Sequence, residues 1–196
     1  MTDERRIDRM AGCACFGKGL LAVGAIALAV FFLFHLNHCF YTTDRGGIHL
    51  QVRITVIDLK IALDAYKLDY NRFPLPATSA TNLDTSLRSR GPMLTSLLGE
   101  ETGGFNPKQI KYIMLPMAKN RKDGLWQDGA EWVLSDRWGE PYYIVLDTSK
   151  DGRIANPEVR SDHPPAMLQA EVLIYSSGPD RDPKTWEDNM CSWRSR

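Results

Sequence analysis

The chain has 196 residues and a mass of 22.2 kDa, enough for one ordinary domain with an appendage and too little for two full domains. Its 24 basic residues balance 24 acidic ones, which argues against a general nucleic-acid binder, since phosphates call for an excess of base. A hydrophobic content of 43% and an aromatic content of 10% exclude a wholly disordered chain, and four cysteines are too few for a disulfide scaffold.

The mean hydropathy of -0.30 hides a local exception. No charged residue lies between Lys18 and Asp44, and Gly19–Phe34 reads GLLAVGAIALAVFFLF. Such a run is long enough to cross a hydrocarbon core about 30 Å thick at about 1.5 Å per helical residue. A buried core helix is a poor account of an unbroken apolar face in so small a chain. A cleaved secretory signal would have a shorter apolar region and an A-x-A site after it. Here His35-Leu36-Asn37-His38-Cys39-Phe40 follows instead. The expectation is a leader-like cytoplasmic segment over 1–18 and a retained single span over 19–38. Arg5, Arg6, Arg9 and Lys18 precede the span, while Arg45 and Arg53 follow it. This bias puts the N-terminus in the cytoplasm and the body on the exported side. Met10-Ala11-Gly12-Cys13 looks like a lipobox, but the apolar stretch comes after it rather than before.

Residues 39–72 are expected to continue as an amphipathic helix. From Val56 to Tyr70, apolar residues recur at spacings of three and four, with Asp58, Lys60, Asp64, Lys67 and Asp69 between them. The preceding Ile48, Leu50, Val52, Ile54 and Val56 alternate as a strand would, but no breaker separates them from the helical pattern. Pro74 ends the helix by disfavouring helical geometry at Phe73. Residues 73–196 form the head. Within it, 74–92 read as a loop, Met93–Leu98 as a short helix stopped at Gly99, and Tyr112-Ile113-Met114 as a possible short strand. Asp123-Gly124 and Asp128-Gly129 are turn dipeptides. Trp132–Leu134, Tyr142–Leu146 and Val172–Tyr175 read as strands, being rich in aromatic and β-branched residues. The expected fold class is α+β: a long N-terminal helix packed on a small antiparallel sheet with long loops.

Three runs carry a resemblance. The first is Asp58-Leu59-Lys60-Ile61-Ala62-Leu63-Asp64-Ala65-Tyr66-Lys67-Leu68-Asp69 with Arg72-Phe73-Pro74. The second is Asp136-Arg137-Trp138-Gly139-Glu140-Pro141-Tyr142, and the third is Tyr175-Ser176-Ser177-Gly178-Pro179-Asp180 with Glu187-Asp188-Asn189-Met190-Cys191-Ser192-Trp193. Together, in this order, they resemble the major pseudopilins of type II secretion systems. The resemblance implies a pilin-like fold and a non-enzymatic subunit of a short periplasmic filament that takes part in protein secretion. It implies partners too: further pilin-like subunits, the inner membrane and its secretion machinery. Pilin precursors also carry a glycine-ended leader with a glutamate at the fifth mature position. Gly12, Gly17 and Gly19 are the candidate glycines here, yet no acid occurs from Arg9 to Thr43. That departure leaves a second reading open, a permanently anchored periplasmic binding module that reuses a pilin-like head. Residues 99–135 are also longer than the family's compact pattern.

Two loops read as oxygen-ligand sites. Asp147-Thr148-Ser149-Lys150-Asp151-Gly152-Arg153 through Glu158 approaches a calcium loop. Asp147, Ser149 and Asp151 would offer side-chain oxygens, Arg153 its carbonyl and Glu158 a bidentate carboxylate. The competing reading is a hairpin turn around Lys150-Asp151-Gly152. The second loop follows from the resemblance, because major pseudopilins hold one calcium near the C-terminus. Asp180, Asp182, Asp188 and Asn189 map there, against a competing reading of a solvated acidic turn paired with Arg181 and Lys184. The five tryptophans read as packing anchors. Cys13 and Cys15 lack partners for a zinc site, and no nucleophile motif or phosphate loop occurs.

Overall fold

The computed structural model describes Phe31, Gly47 and residues 49–76, 83–159 and 164–194. Apart from Phe31, which is helical, the apolar stretch Gly19–Phe34 lies outside the described residues. Among the described residues, no helix is long and apolar enough to cross a membrane. The chain divides into two units, Met1–Gly47 and Ile48–Arg196, so the amphipathic helix belongs to the head unit rather than standing apart from it.

Helix α1 covers 49–70. Val52, Val56, Leu59, Ala62, Leu63 and Tyr66 are buried along it, the i, i+3, i+4 stripe of one helical face. The alternating residues up to Val56 are therefore helical, because a continuous apolar face from 52 to 66 exists only at the helical period. Phe73 and Pro74 close the element, and Asn71 turns the chain at φ 53.

The expected loop over 74–92 is corrected: it contains strand β1 (Thr85–Arg88). The strand carries no alternating apolar pattern and is held by pairing with its neighbour. Helix α2 (Gly91–Leu97) starts with Pro92 in its first turn, and Gly99 turns beyond its end at φ 92. Tyr112-Ile113-Met114 is extended but joins no strand, which corrects that expectation. The amides of Tyr112 and Ile113 bond to Leu97 O, and the Tyr112 hydroxyl donates to Asp69 at 2.7 Å, fastening the segment along α1.

Strands β2 (Gly124–Asp128) and β3 (Glu131–Ser135) form a hairpin around Gly129. The start of β2 demands glycine: a Cβ at Gly124 would lie 2.4 Å from Pro116 O. Strands β4 (Tyr143–Leu146), β5 (Ile154–Ala155), β6 (Met167–Leu168), β7 (Val172–Ser176) and β8 (Met190–Cys191) follow. The main sheet has the order β1-β4-β7-β8 and is antiparallel throughout, while β5 and β6 pair separately. The architecture is thus α+β.

Ile144 and Leu146 of β4 and Val172 and Ile174 of β7 join Val52, Leu59 and Leu63 of α1 in one core cluster. All five residues of β7 are buried, because its other face is covered too. There Tyr143 and Tyr175 stack at 4.8 Å, with Trp186 and Trp193 against Tyr175. The C-terminal loop closes over this second aromatic cluster.

Candidate functional site

The C-terminal loop runs from the end of β7 to β8. Three buried oxygens within it have no hydrogen-bond partner: Ser177 Oγ, Asp188 Oδ1 and Asn189 Oδ1. An unpartnered buried acceptor costs about 1–3 kcal/mol, so three such oxygens in one loop suit a donor, a water or a cation beside them. Gly178 shows how tightly the loop folds on itself. It sits at φ 70, and a Cβ there would lie 2.9 Å from the Asp188 carboxyl carbon. The Asp188 carboxylate therefore rests on the backbone next to Ser177.

Burial pushes the Asp188 carboxyl above the usual carboxylate range, and the Asp180 charge pushes the same way. Backbone N–H groups of Asp180 and Asp188 offset part of this. Two carboxylates thus repel each other beside acceptors that lack donors. Asn189 is buried and its Nδ2 donates to Pro183 O at 3.1 Å, which leaves Oδ1 as an acceptor only. Asp180 and Asp182 are both exposed, and Asp182 Oδ1 accepts the Lys184 amide at 2.9 Å. Asp180 Oδ1 likewise accepts the Asp182 amide at 2.8 Å.

A hard cation such as calcium takes roughly six to eight oxygens, and the donors here suit it. Asp188 and Asp180 would supply carboxylates, Asn189 and Ser177 neutral oxygens, with carbonyls and water completing the shell. Calcium would neutralise the Asp180–Asp188 repulsion and brace a loop whose apolar material is confined to Trp186 and its neighbours. Among the described residues, no group of three or more His, Cys, Asp and Glu side chains forms a metal cluster, so the neutral oxygens are essential to any such site. Ser177 Oγ is the unpartnered oxygen that sequence reading did not single out. Its signal was available only as a small polar residue beside a glycine.

The second candidate loop is arranged differently. Asp147 Oδ1 accepts the Lys150 amide at 2.6 Å and the Ser149 hydroxyl at 3.0 Å, while Oδ2 accepts the Gly152 amide at 2.9 Å. Asp151 Oδ1 accepts the Arg153 amide at 2.9 Å. Glu158 is buried and faces the C-terminal segment, where it accepts from Trp193 Nε1 at 3.2 Å and Arg194 Nε at 3.0 Å. The loop closes as a turn on its own amides, with Glu158 committed elsewhere. Of the residues expected to form a calcium cage, Asp147, Ser149, Asp151 and Arg153 thus share one turn, while Glu158 pairs with the C-terminal segment.

Asp188 and Asn189 also line a cleft of about 360 Å³ with His49, Leu50, Arg53 and Arg194. The loop therefore lies at the first turns of α1, where Arg53 donates to Arg194 O at 3.1 Å. The sequence matches no family model, no curated protein and no solved structure.

Proposed function

We propose that this protein is a membrane-anchored, pilin-like structural subunit of a type II secretion pseudopilus or a related filament, acting in protein secretion by assembly rather than catalysis. One observation carries the reading: α1 has a second apolar face. Leu50, Ile54, Ile57, Ile61 and Leu68 are 59%, 42%, 42%, 58% and 86% exposed. Their spacing alternates four and three, with Asp64 at the one polar position of the seam, on the side opposite the buried stripe. A helix built to stop at its own head has no use for such a seam, whereas a helix packed between head and neighbours does.

The flanks of the seam favour a second copy as neighbour. Arg53, Lys60 and Lys67 form one edge, and Gln51, Asp58 and Ala65 the other. In a parallel pair Arg53 would face Asp58 of the second copy, while in an antiparallel pair the basic edges would oppose each other. Asp64, held by Lys60 at 2.7 Å, is the kind of polar seam residue that sets register. The cation-suited C-terminal loop and the apolar stretch Gly19–Phe34 agree with the same reading.

A photocrosslinking side chain at Ile57 or Ile61 of the full chain in its native membrane tests it. The expected product is a homo-oligomer ladder that Ile57→Asp removes. Adducts to a foreign protein without any ladder would sink the filament reading. The absence of an acid from Arg9 to Thr43 favours the second reading, a permanently anchored periplasmic binding module. Intact mass separates the two. A mass short by the residues before Gly12, Gly17 or Gly19 supports the filament, and a full-length mass supports the module.

A further inference from the structure

The tip that joins the 110–118 segment to β2 forms a basic knuckle. Asn120 and Arg121 sit at φ 52 and 60, the paired left-handed residues of a tight reversal, and Lys119 and Lys122 exchange backbone hydrogen bonds across it. Lys119, Arg121 and Lys122 are exposed, as is Arg137 beside them. Asp123 is the one acid among the residues lining this surface, and it pairs with Arg137 at 3.5 Å. Arg121 lies 4.7 Å over the Trp126 ring, which holds the knuckle's backbone against β2 while the two lysines project. Met117, 63% exposed, lies on the same surface.

The position of the knuckle on the head matters as much as its charge. Gln51 of the first turns of α1 lines this surface together with Lys119, Lys122 and Arg137. His49 packs on Trp138, next to Arg137, at 6.1 Å. This end of α1 is the one the chain connects to the apolar stretch. At about 3.5 Å per residue at most, the chain from Phe34 to His49 reaches no more than about 50 Å. Helix α1 itself is ~33 Å long. The bases therefore lie by the end of α1 that the chain joins to the apolar stretch, with a flexible apolar methionine among them. This combination suits a bilayer surface, where bases meet phosphate and a methionine enters the headgroup boundary.

We infer that Lys119, Lys122 and Arg137 form a docking surface for anionic phospholipid headgroups of the leaflet next to the head, setting how the head stands on the membrane. This rests on the membrane-anchor part of the reading above. It adds a lipid contact that the filament does not require.

The test uses the full chain reconstituted in phosphatidylcholine vesicles with or without phosphatidylglycerol. A water-soluble amine acylating reagent is applied and labelling is read lysine by lysine by mass spectrometry. Lys108, at the other end of α1 beside Tyr70, is the internal control. The expected result is labelling of Lys119 and Lys122 slowed by about threefold or more in anionic vesicles. Lys108 should be unchanged, and the protection should be lost at about 1 M salt, where screening acts within about 3 Å. Lys122→Glu should weaken the protection read at Lys119. Equal labelling in both vesicle types would overturn the inference while leaving the anchor intact. Protection by soluble polyglutamate but not by vesicles would assign the surface to an acidic protein and also overturn it. A chain that fails to float with neutral vesicles would overturn the anchor itself, and the inference with it.

Discussion

Ser176 donates its hydroxyl to Asp136 Oδ2 at 2.6 Å, and both residues are wholly buried. The other oxygen of Asp136 accepts the amides of Trp138, Gly139 and Glu140, each at 2.9 Å. One carboxylate therefore closes the turn after β3 and fastens it to β7. Burial pushes the Asp136 carboxyl above its ordinary range, and the four donors pull it back.

Replacing this carboxylate should be severe. Asp136→Ala strands the amides of Trp138 and Glu140 and the Ser176 hydroxyl, while Gly139 keeps its bond to the Asp136 carbonyl at 3.1 Å; each group left buried and unpaired costs about 1–3 kcal/mol. Ser176→Ala removes one donor and the acceptor of the Gly178 amide at 3.2 Å, leaves the amide bonds to Asp136 in place, and should cost less. Denaturant unfolding of the full chain in detergent measures both. Equal losses would mean that the Ser176 contact, rather than the turn, carries the stability.

Asp188 leads to a pH prediction. Its carboxyl is raised in the folded protein, first by burial and then by the Asp180 charge. A raised carboxyl pKa means that the fold holds the proton more tightly than the unfolded chain does. Without calcium, the cost is fully present above the folded pKa and is relieved as pH falls through it towards the ordinary value near 3.9. The thermal midpoint of the calcium-free protein should therefore gain from mild acidification, and Asp188→Asn should remove that part of the gain. Calcium binds the ionised form, so its stabilisation should be largest at neutral pH and fade in the same window. A midpoint blind to calcium at every pH would refute the cation site.

Gly178→Ala tests the loop geometry by another route. The substituent meets the Asp188 carboxylate and carbonyl at 2.9 Å, at a φ of 70 that L residues adopt at a cost. The expected outcome is a folded head whose calcium-dependent rise in thermal midpoint is largely gone. An unchanged rise would place the ion outside the Ser177–Asp188 fold.

The two faces of α1 should separate stability from assembly. Leu63 is wholly buried, and Leu63→Ala should cost about 2–5 kcal/mol in unfolding experiments. Ile61→Ala, on the exposed seam, should stay within about 0.5 kcal/mol and yet weaken homo-oligomer crosslinking. Loss of stability at Ile61 comparable to that at Leu63 would show that the seam serves the head's own fold.

Helix α1 and strands β3, β4 and β7 were legible because their signals are local. Spacings of three and four along 52–66 define a face, and Val172-Leu173-Ile174-Tyr175 favours a strand wherever it lies. The double burial of β7 was not legible, since it needs Trp186 and Trp193 to return over Tyr175. Strand β1 has no apolar period to read, and β8 is two residues long; both exist because β4 and β7 offer them partners. The Asp147–Glu158 spacing resembles a calcium loop, but spacing says nothing of where a carboxylate turns. Glu158 found Arg194, 36 positions away, while Asp147 found the amides of its own turn.

The sequence by itself determined the α+β class, the helical period of α1, the main strands, the apolar stretch and the acids of the C-terminal loop, because each depends on neighbours within a few residues. Only the tertiary structure decided which oxygens of that loop are left without partners, which face of α1 stays exposed, and that the Lys119–Lys122 knuckle sits beside Gln51. Those outcomes depend on which distant segments desolvate one another, and burial is a property of the packed chain rather than of any stretch of it.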